Sequence, residues 1–232
     1  MTANKTVFFC VLFMPILFGC AAVSDYYVSQ PANKRHAGYE FWPNGIVRIV
    51  SPDINLFIQP DNIVNTSNGI IGSFPAPPII IMEGDQVINI EESRQNEPFY
   101  VEILVKAQKE GFVFNPMEVH CKLNNQGYLQ ASKYINPDKK FRAPKKNGMF
   151  TLMMPKPAEY SWRTEKNEKQ LDRYYNIPTG KWVGYRIRFD IEAPRPGVPF
   201  SIEIKGLKQR DEVVPLPNIQ YLKKVKFRDI HT

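Results

Sequence analysis

Residues 185–193 read Tyr185-Arg186-Ile187-Arg188-Phe189-Asp190-Ile191-Glu192-Ala193, with an apolar residue at every odd position and a polar one at every even position. Successive side chains of a β-strand point to opposite faces, so a period of two places one face in a core and the other in solvent. Half-solvated strands of this kind are typical of antiparallel sheets. The stretch therefore predicts an antiparallel strand and an all-β fold.

The same period returns elsewhere in the chain. Residues 117–123 and 200–205 alternate in this way, and the odd residues of 99–106 make an apolar face opposite the even ones. The runs 56–58 and 79–82 are apolar without a break, which suits strands that are covered on both faces. Further strand candidates are 45–51, 86–92, 149–154, 158–163 and 224–228.

Turn signals separate these strands at short intervals. The chain has 20 prolines and 13 glycines, and proline both breaks helices and is confined to the edges and ends of strands. Short strands between frequent turns predict an antiparallel, immunoglobulin-like β-sandwich with long loops. At most one short helix is expected, over residues 164–175, where an exposed loop is the alternative.

Two stretches interrupt the strand pattern. Residues 65–78 are rich in Asn, Ser, Gly and Pro, and they form either a long surface loop or the boundary between an N-terminal ribbon (39–74) and a main sandwich (75–232). Residues 134–148 are basic, with Asp138 as the only acid. Loops on a rigid sandwich often carry binding sites. The candidate binding residues of the basic loop are Lys139, Lys140, Arg142, Lys145 and Lys146.

The first twenty residues carry an export signal. Lys5 precedes an apolar run over residues 6–18, which fits a signal-peptide core and is shorter than the ~20 residues of a membrane-spanning helix. The segment Leu17-Phe18-Gly19-Cys20 resembles the lipobox of bacterial lipoproteins. The resemblance implies a diacylglycerol thioether on Cys20, cleavage before Cys20, and usually a further acyl chain on the new amine. An ordinary secretory signal with a chance cysteine is the alternative.

The lipobox divides the chain into three parts. Residues 1–19 are a predicted signal peptide, 20–38 a lipid-anchored tether without a sustained period, and 39–232 the sandwich, undivided or with the ribbon 39–74 set apart. Two or three acyl chains make a durable membrane anchor. Ala21 differs from the aspartate of the inner-membrane retention signal in enteric bacteria, so the resemblance implies the outer membrane, facing the periplasm or the cell surface.

Charge and cysteine content narrow the class of protein further. The formal net charge is +7, which suits an acidic envelope surface and equally an ordinary protein surface. With Cys10 in the signal and Cys20 acylated, Cys121 is the one remaining cysteine of the three. The mature chain is therefore not a disulfide-stapled scaffold.

The sequence contains few motifs that indicate catalysis or metal binding. His120 and Cys121 are adjacent in a predicted strand and point to opposite faces, so we expect Cys121 in the core rather than as a nucleophile. We find no metal-ligand spacing, no phosphate-binding glycine loop and no nucleic-acid recognition fold. An envelope hydrolase is the weakest alternative. It would need the carboxylates of Glu83, Asp85, Glu91 and Glu92 to converge in a cleft.

Aromatic residues offer a second candidate site beside the basic loop. If two neighbouring strands pair, their rings form a platform for a sugar or an anchor for a protein partner, while a place in the sandwich core is the alternative. These residues are Tyr160, Trp162, Trp182 and Tyr185. The basic loop would meet anionic glycan or lipid headgroups.

The sequence thus predicts a lipid-anchored, all-β envelope protein without a cofactor or metal. Its expected function is a non-enzymatic binding or assembly module for other envelope proteins. The alternative is a module that binds cell-wall or polysaccharide glycan. The partners expected are the membrane, through acyl chains on Cys20, an envelope protein, and an anionic glycan, but no nucleic acid.

Overall fold

The computed structural model describes residues 20–32, 38–42, 45–62, 64–72, 79–81, 98–123, 127–135 and 168–231. These residues form strands and one 3-10 turn, so the predicted all-β class is confirmed. The elements are β1 (Cys20–Pro31), β2 (Tyr39–Phe41), β3 (Val47–Val50), β4 (Ile54–Pro60), β5 (Val64–Gly72), β6 (Ile79–Ile81), β7 (Pro98–Ala107), β8 (Phe112–Phe114), the 3-10 turn (Pro116–Glu118), β9 (Val119–Leu123), β10 (Tyr128–Gln130), β11 (Lys133–Ile135), β12 (Tyr175–Asn176), β13 (Val183–Glu192), β14 (Phe200–Ile204), β15 (Leu207–Gln209), β16 (Glu212–Val213) and β17 (Ile219–His231).

The strands form three sheets in which every neighbouring pair is antiparallel. Sheet A has seven strands in the order β10-β9-β14-β17-β1-β5-β6. Sheet B has six, β11-β13-β7-β4-β3-β2, and sheet C has four, β12-β8-β15-β16. The strands β2, β3 and β4 thus belong to the same sheet as β7 and β13.

The main core lies between sheets A and B. It contains Cys121 and Ile202 from sheet A together with Leu56 and Ile187 from sheet B. The rings of Phe99 on β7 and Phe200 on β14 meet edge to face with centroids 5.6 Å apart. Burial of each such side chain stabilises the fold by ~1.5–3 kcal/mol. The two sheets therefore pack as the layers of a sandwich.

Most of the alternating stretch 185–193 lies in β13. Tyr185, Ile187 and Phe189 are buried in the main core, as the period predicts. Arg186 on the opposite face is also buried, because that face of sheet B is covered at its centre. A second cluster lies there, built from Trp42, Ile46, Phe57 and Leu104.

Strand β9 is shorter than the alternation over 117–123 predicted. Pro116 to Glu118 form the 3-10 turn, and the side chain of Asn115 caps it by accepting a hydrogen bond from the Met117 amide at 3.1 Å. Proline suits the start of such a turn because its φ is fixed and it has no amide proton to pair. The strand begins at Val119.

The predicted tether is wrong over residues 20–31. These residues form β1, which pairs with β17 on one side and with β5 on the other. Tyr27, for example, lies opposite Lys226 of β17 and Val64 of β5. Backbone hydrogen bonds to two distant strands hold this segment extended, although its own sequence has no period.

One further prediction is wrong where the structure describes the chain, and in a second stretch the predicted helix is absent and the loop alternative fits residues 170–174. Much of the predicted loop 65–78 lies in β5, which pairs with β1 and β6. Residues 168–175 of the predicted helix are not helical. Lys169 instead exchanges two backbone hydrogen bonds with Tyr134 of β11, at 2.8 and 2.9 Å, and so extends sheet B. Residues 73–78 and 164–167 lie outside the described residues.

Candidate functional site

The predicted acylation site opens the first strand. Cys20 is the first residue of β1 and lies opposite Gly72 of β5. From Ala22 onward β1 also pairs with β17, where Ala22 lies opposite His231. The residue that would carry the lipid therefore continues directly into sheet A.

The predicted aromatic platform is wrong in its described members. Trp182 packs beside Phe57 at 5.2 Å between ring centroids and belongs to the cluster on the outer face of sheet B. Tyr185 is 2 % exposed and lies in the main core, where its ring meets that of Phe114 at 4.9 Å. The two rings lie on opposite faces of sheet B, because Trp182 and Tyr185 are three positions apart along the chain.

The other predicted site residues lie outside the described residues. They are Tyr160 and Trp162 of the platform, Lys139, Lys140, Arg142, Lys145 and Lys146 of the basic loop, and Glu83, Asp85, Glu91 and Glu92 of the carboxylate group.

The prediction that Cys121 lies in the core is confirmed. Its side chain is fully buried, and burial raises the pKa of the thiol to about 12. His120 points to the opposite face of sheet A, where it lies across from Gln130 and Glu203. A thiol with so high a pKa, turned away from its neighbouring base, is a poor nucleophile. Among the described residues, no three His, Cys, Asp or Glu side chains cluster as metal ligands would.

A buried ion cluster lies on the outer face of sheet B. The guanidinium of Arg186 meets Asp61 at 2.7 Å and Glu102 at 3.3 Å, and it lies 4.3 Å from the ring centroid of Tyr100. Burial raises the pKa of Glu102 to about 7, the charge of Arg186 opposes this rise, and the charge of Asp61 adds to it. One cation thus serves two carboxylates, and a proton on Glu102 relieves the excess negative charge.

The cluster continues to a third carboxylate, that of Glu168. Glu168 accepts ion pairs from Arg188 at 3.0 Å and Lys133 at 3.3 Å, and a hydrogen bond from the Tyr100 hydroxyl at 3.1 Å. Burial and Glu168 together raise the pKa of Tyr100 to about 12. These groups engage one another and hold residue 168 against sheet B, which favours a structural role for the cluster.

The outer face of sheet A is open and polar. Strands β10, β9, β14 and β17 bring one residue each into a row across the sheet. The row consists of Tyr128, Lys122, Ser201 and Gln220. The residues that flank this row along each strand, such as Cys121 and Ile202, point into the core. Tyr128 is 55 % exposed, and Lys122 and Gln220 are exposed as well.

A second row lies beside the first. Gln130, His120 and Glu203 are neighbours on β10, β9 and β14. The ammonium of Lys205 lies 3.3 Å from Glu203 and 5.7 Å from the ring centroid of Tyr128. Burial and the nearby charge of Lys205 lower the pKa of His120, so its imidazole is neutral at neutral pH.

Two cavities meet at the first row. One has a volume of about 250 Å3 and is lined by Lys122, Tyr128 and Ser201, among others. The other has a volume of about 160 Å3 and is lined mainly by apolar residues, among them Tyr39, Phe41 and Pro217. Asn218 and Gln220 line both cavities. We refer to the first row together with the two cavities as the groove.

The alternating strands predicted a polar face for β9 and β14, but not the groove. Lys122 and Ser201 lie in separate stretches of the sequence. They become neighbours only through the register of β9 with β14. Tyr128 and Asn218 follow turn-forming sequences that gave no strand signal. The only signal in the sequence that could have indicated the groove residues was that they lie in or near predicted strands with a polar face.

No family model, curated protein or solved structure matches this chain. In the part of the chain that the structure describes, no helix is long and apolar enough to span a membrane.

Proposed function

We propose that this protein is a lipid-anchored component of a bacterial cell envelope and that its sandwich serves as a non-enzymatic binding or assembly module for other envelope proteins. The observation that carries the proposal is that Cys20, the residue of the lipobox, is the first residue of β1. Acyl chains on Cys20 would join the membrane to sheet A with no spacer between them.

Direct attachment of β1 to the membrane would restrict the orientation of the sandwich, which matters for assembly with other proteins. At ~3.3 Å per residue, Tyr27 lies about 23 Å along β1 from Cys20, so the sandwich begins within one strand length of the bilayer. A flexible tether would let the body take any orientation, whereas a strand paired on both sides restricts it. A module held in this way presents the same surfaces to its neighbours in the envelope.

The chemistry of the described residues supports binding rather than catalysis. Cys121 is buried with a raised pKa, and the carboxylates of Glu102 and Glu168 are engaged by Arg186 and Arg188. Ser201 lies diagonal to His120 on the face of sheet A. Among the described residues, Ser201 and His120 form no hydrogen bond with each other, so they are not set up as a nucleophile and its base.

Acylation is tested by metabolic labelling with an alkyne-bearing palmitate in a bacterial host. We expect the wild-type chain to take up the label and Cys20→Ser to lose it and to remain as the uncleaved precursor. Cys121→Ser is the matched control, because it makes the same substitution at a buried cysteine, and it should label like the wild type. Equal labelling of Cys20→Ser and wild type would disprove the anchor.

The assembly role is tested by pull-down from detergent-solubilised envelopes, read by mass spectrometry. Wild-type protein should recover one or more envelope proteins in stoichiometric amounts, and Cys20→Ser, added as purified protein, should recover the same proteins through the sandwich. Recovery of no envelope protein by either version would refute the assembly role while leaving the anchor intact.

A further inference from the structure

We propose that the groove on the outer face of sheet A binds an acidic oligosaccharide. The row of Tyr128, Lys122, Ser201 and Gln220 crosses four strands. Three strand spacings of ~4.8 Å give this row a length of about 14 Å. The larger cavity runs along the whole row and the smaller one adjoins its Gln220 end, so this elongated polar surface fits a short saccharide chain. The inference does not depend on acylation of Cys20.

Tyr128 supplies a stacking surface at one end of the groove. Its side chain is 55 % exposed although it lies on a strand, so its ring has not been taken into the core. The ammonium groups of Lys122 and Lys205 lie 5.2 and 5.7 Å from the ring centroid. The apolar C–H face of a sugar ring packs against an aromatic face of this kind.

Side chains in the middle of the groove match sugar hydroxyls. Asn218 and Gln220 are exposed and line both cavities, whereas Ser201, beside Gln220 in the row, is 7 % exposed. Amides and hydroxyls both donate and accept hydrogen bonds, as vicinal sugar hydroxyls do. A purely apolar partner would leave these groups without hydrogen bonds, at a cost in binding.

The charge of the groove selects an acidic sugar over a neutral one. Among the described side chains, Lys122 forms no ion pair, whereas Lys205 is paired with Glu203 at 3.3 Å. A carboxylate on the saccharide would give Lys122 the counter-ion that the protein does not supply. The protein's formal charge of +7 favours the approach of the same ligands.

Binding is tested by biolayer interferometry of the purified full chain on three immobilised polymers at ~0.15 M salt, where long-range charge effects are screened. Polygalacturonate is the acidic saccharide, dextran the neutral saccharide, and polyglutamate an acidic polymer without sugar rings. We expect the tightest binding to polygalacturonate. Tyr128→Ala should weaken it about tenfold through the lost stacking surface. Lys122→Gln should weaken it about fivefold.

Matched controls come from a second lysine–tyrosine pair outside the groove. Lys208 lies 4.0 Å from the ring centroid of Tyr174, so Tyr174→Ala and Lys208→Gln repeat the two substitutions elsewhere, and both should bind like the wild type. Unchanged unfolding midpoints would show that the groove variants are folded. Equal binding to polygalacturonate and polyglutamate, preference for dextran, or equal losses in Tyr128→Ala and Tyr174→Ala would each overturn the proposal.

Discussion

Replacing Glu102 by glutamine should change how the stability of this protein depends on pH. Glu102 is 4 % exposed and shares the guanidinium of Arg186 with Asp61. Arg186 lies closer to Asp61, at 2.7 Å, than to Glu102, at 3.3 Å. Burial and the charge of Asp61 favour a proton on Glu102 in the folded protein, and the charge of Arg186 opposes it.

The magnitude follows from the pKa of Glu102, which burial raises from 4.5 to about 7. Between these two values the folded state keeps its proton and the unfolded state has released it, so a rise in pH favours unfolding. The stabilisation by protonated Glu102 is complete below pH 4.5 and is lost as the pH rises through about 7. At ~1.4 kcal/mol for each pKa unit, the loss is about 3 kcal/mol.

The assay is urea denaturation from pH 4 to pH 8, followed by tryptophan fluorescence. Glutamine keeps the shape of the side chain and does not titrate, so the free energy of unfolding of the wild type, minus that of Glu102→Gln, should fall by about 3 kcal/mol over this range. Glu110→Gln, at an exposed position, controls for the loss of one carboxylate. A difference that stays constant or rises with pH would refute the reasoning.

Three further predictions concern packing. Phe57→Ala should lower the free energy of unfolding by about 3–5 kcal/mol, because Phe57 is 2 % exposed and its ring packs against Trp182; a loss under 1 kcal/mol in urea denaturation would contradict this. Gly206→Ala should cost at least ~2 kcal/mol by the same assay, because the new Cβ would lie 2.1 Å from the carbonyl oxygen of Asn115. Cys121 should resist a maleimide at pH 8 in the folded protein and react in urea, because its thiol is buried with a raised pKa; fast reaction without urea would place it at the surface.

Strand positions were predictable where side chains alternate. Strands β13, β14 and β9 were found because a period of two is a local property of a few neighbouring residues. Strands β1 and β5 were missed because backbone hydrogen bonds to distant strands stabilise them: β1 pairs with β17 and β5, and β5 pairs with β1 and β6. Those bonds do not depend on which side chains the strands carry.

The candidate site was less predictable than the fold. Trp182 and Tyr185 were expected to share a platform. Trp182 directly precedes β13 and Tyr185 lies three positions further along, so the two side chains point to opposite faces of the sheet. The groove assembles Tyr128, Lys122 and Ser201 from three strands, and no stretch of sequence contains all three.

The all-β class, the polar faces of the alternating strands and the burial of Cys121 were predictable from the sequence, because each follows from side-chain period along one strand. The pairing of β1 with β17, the covering of sheet B on both faces and the alignment of four polar residues across sheet A emerged only from the folded chain. Pairing and register depend on how distant strands pack over a shared core, and a one-residue shift would turn every side chain to the other face.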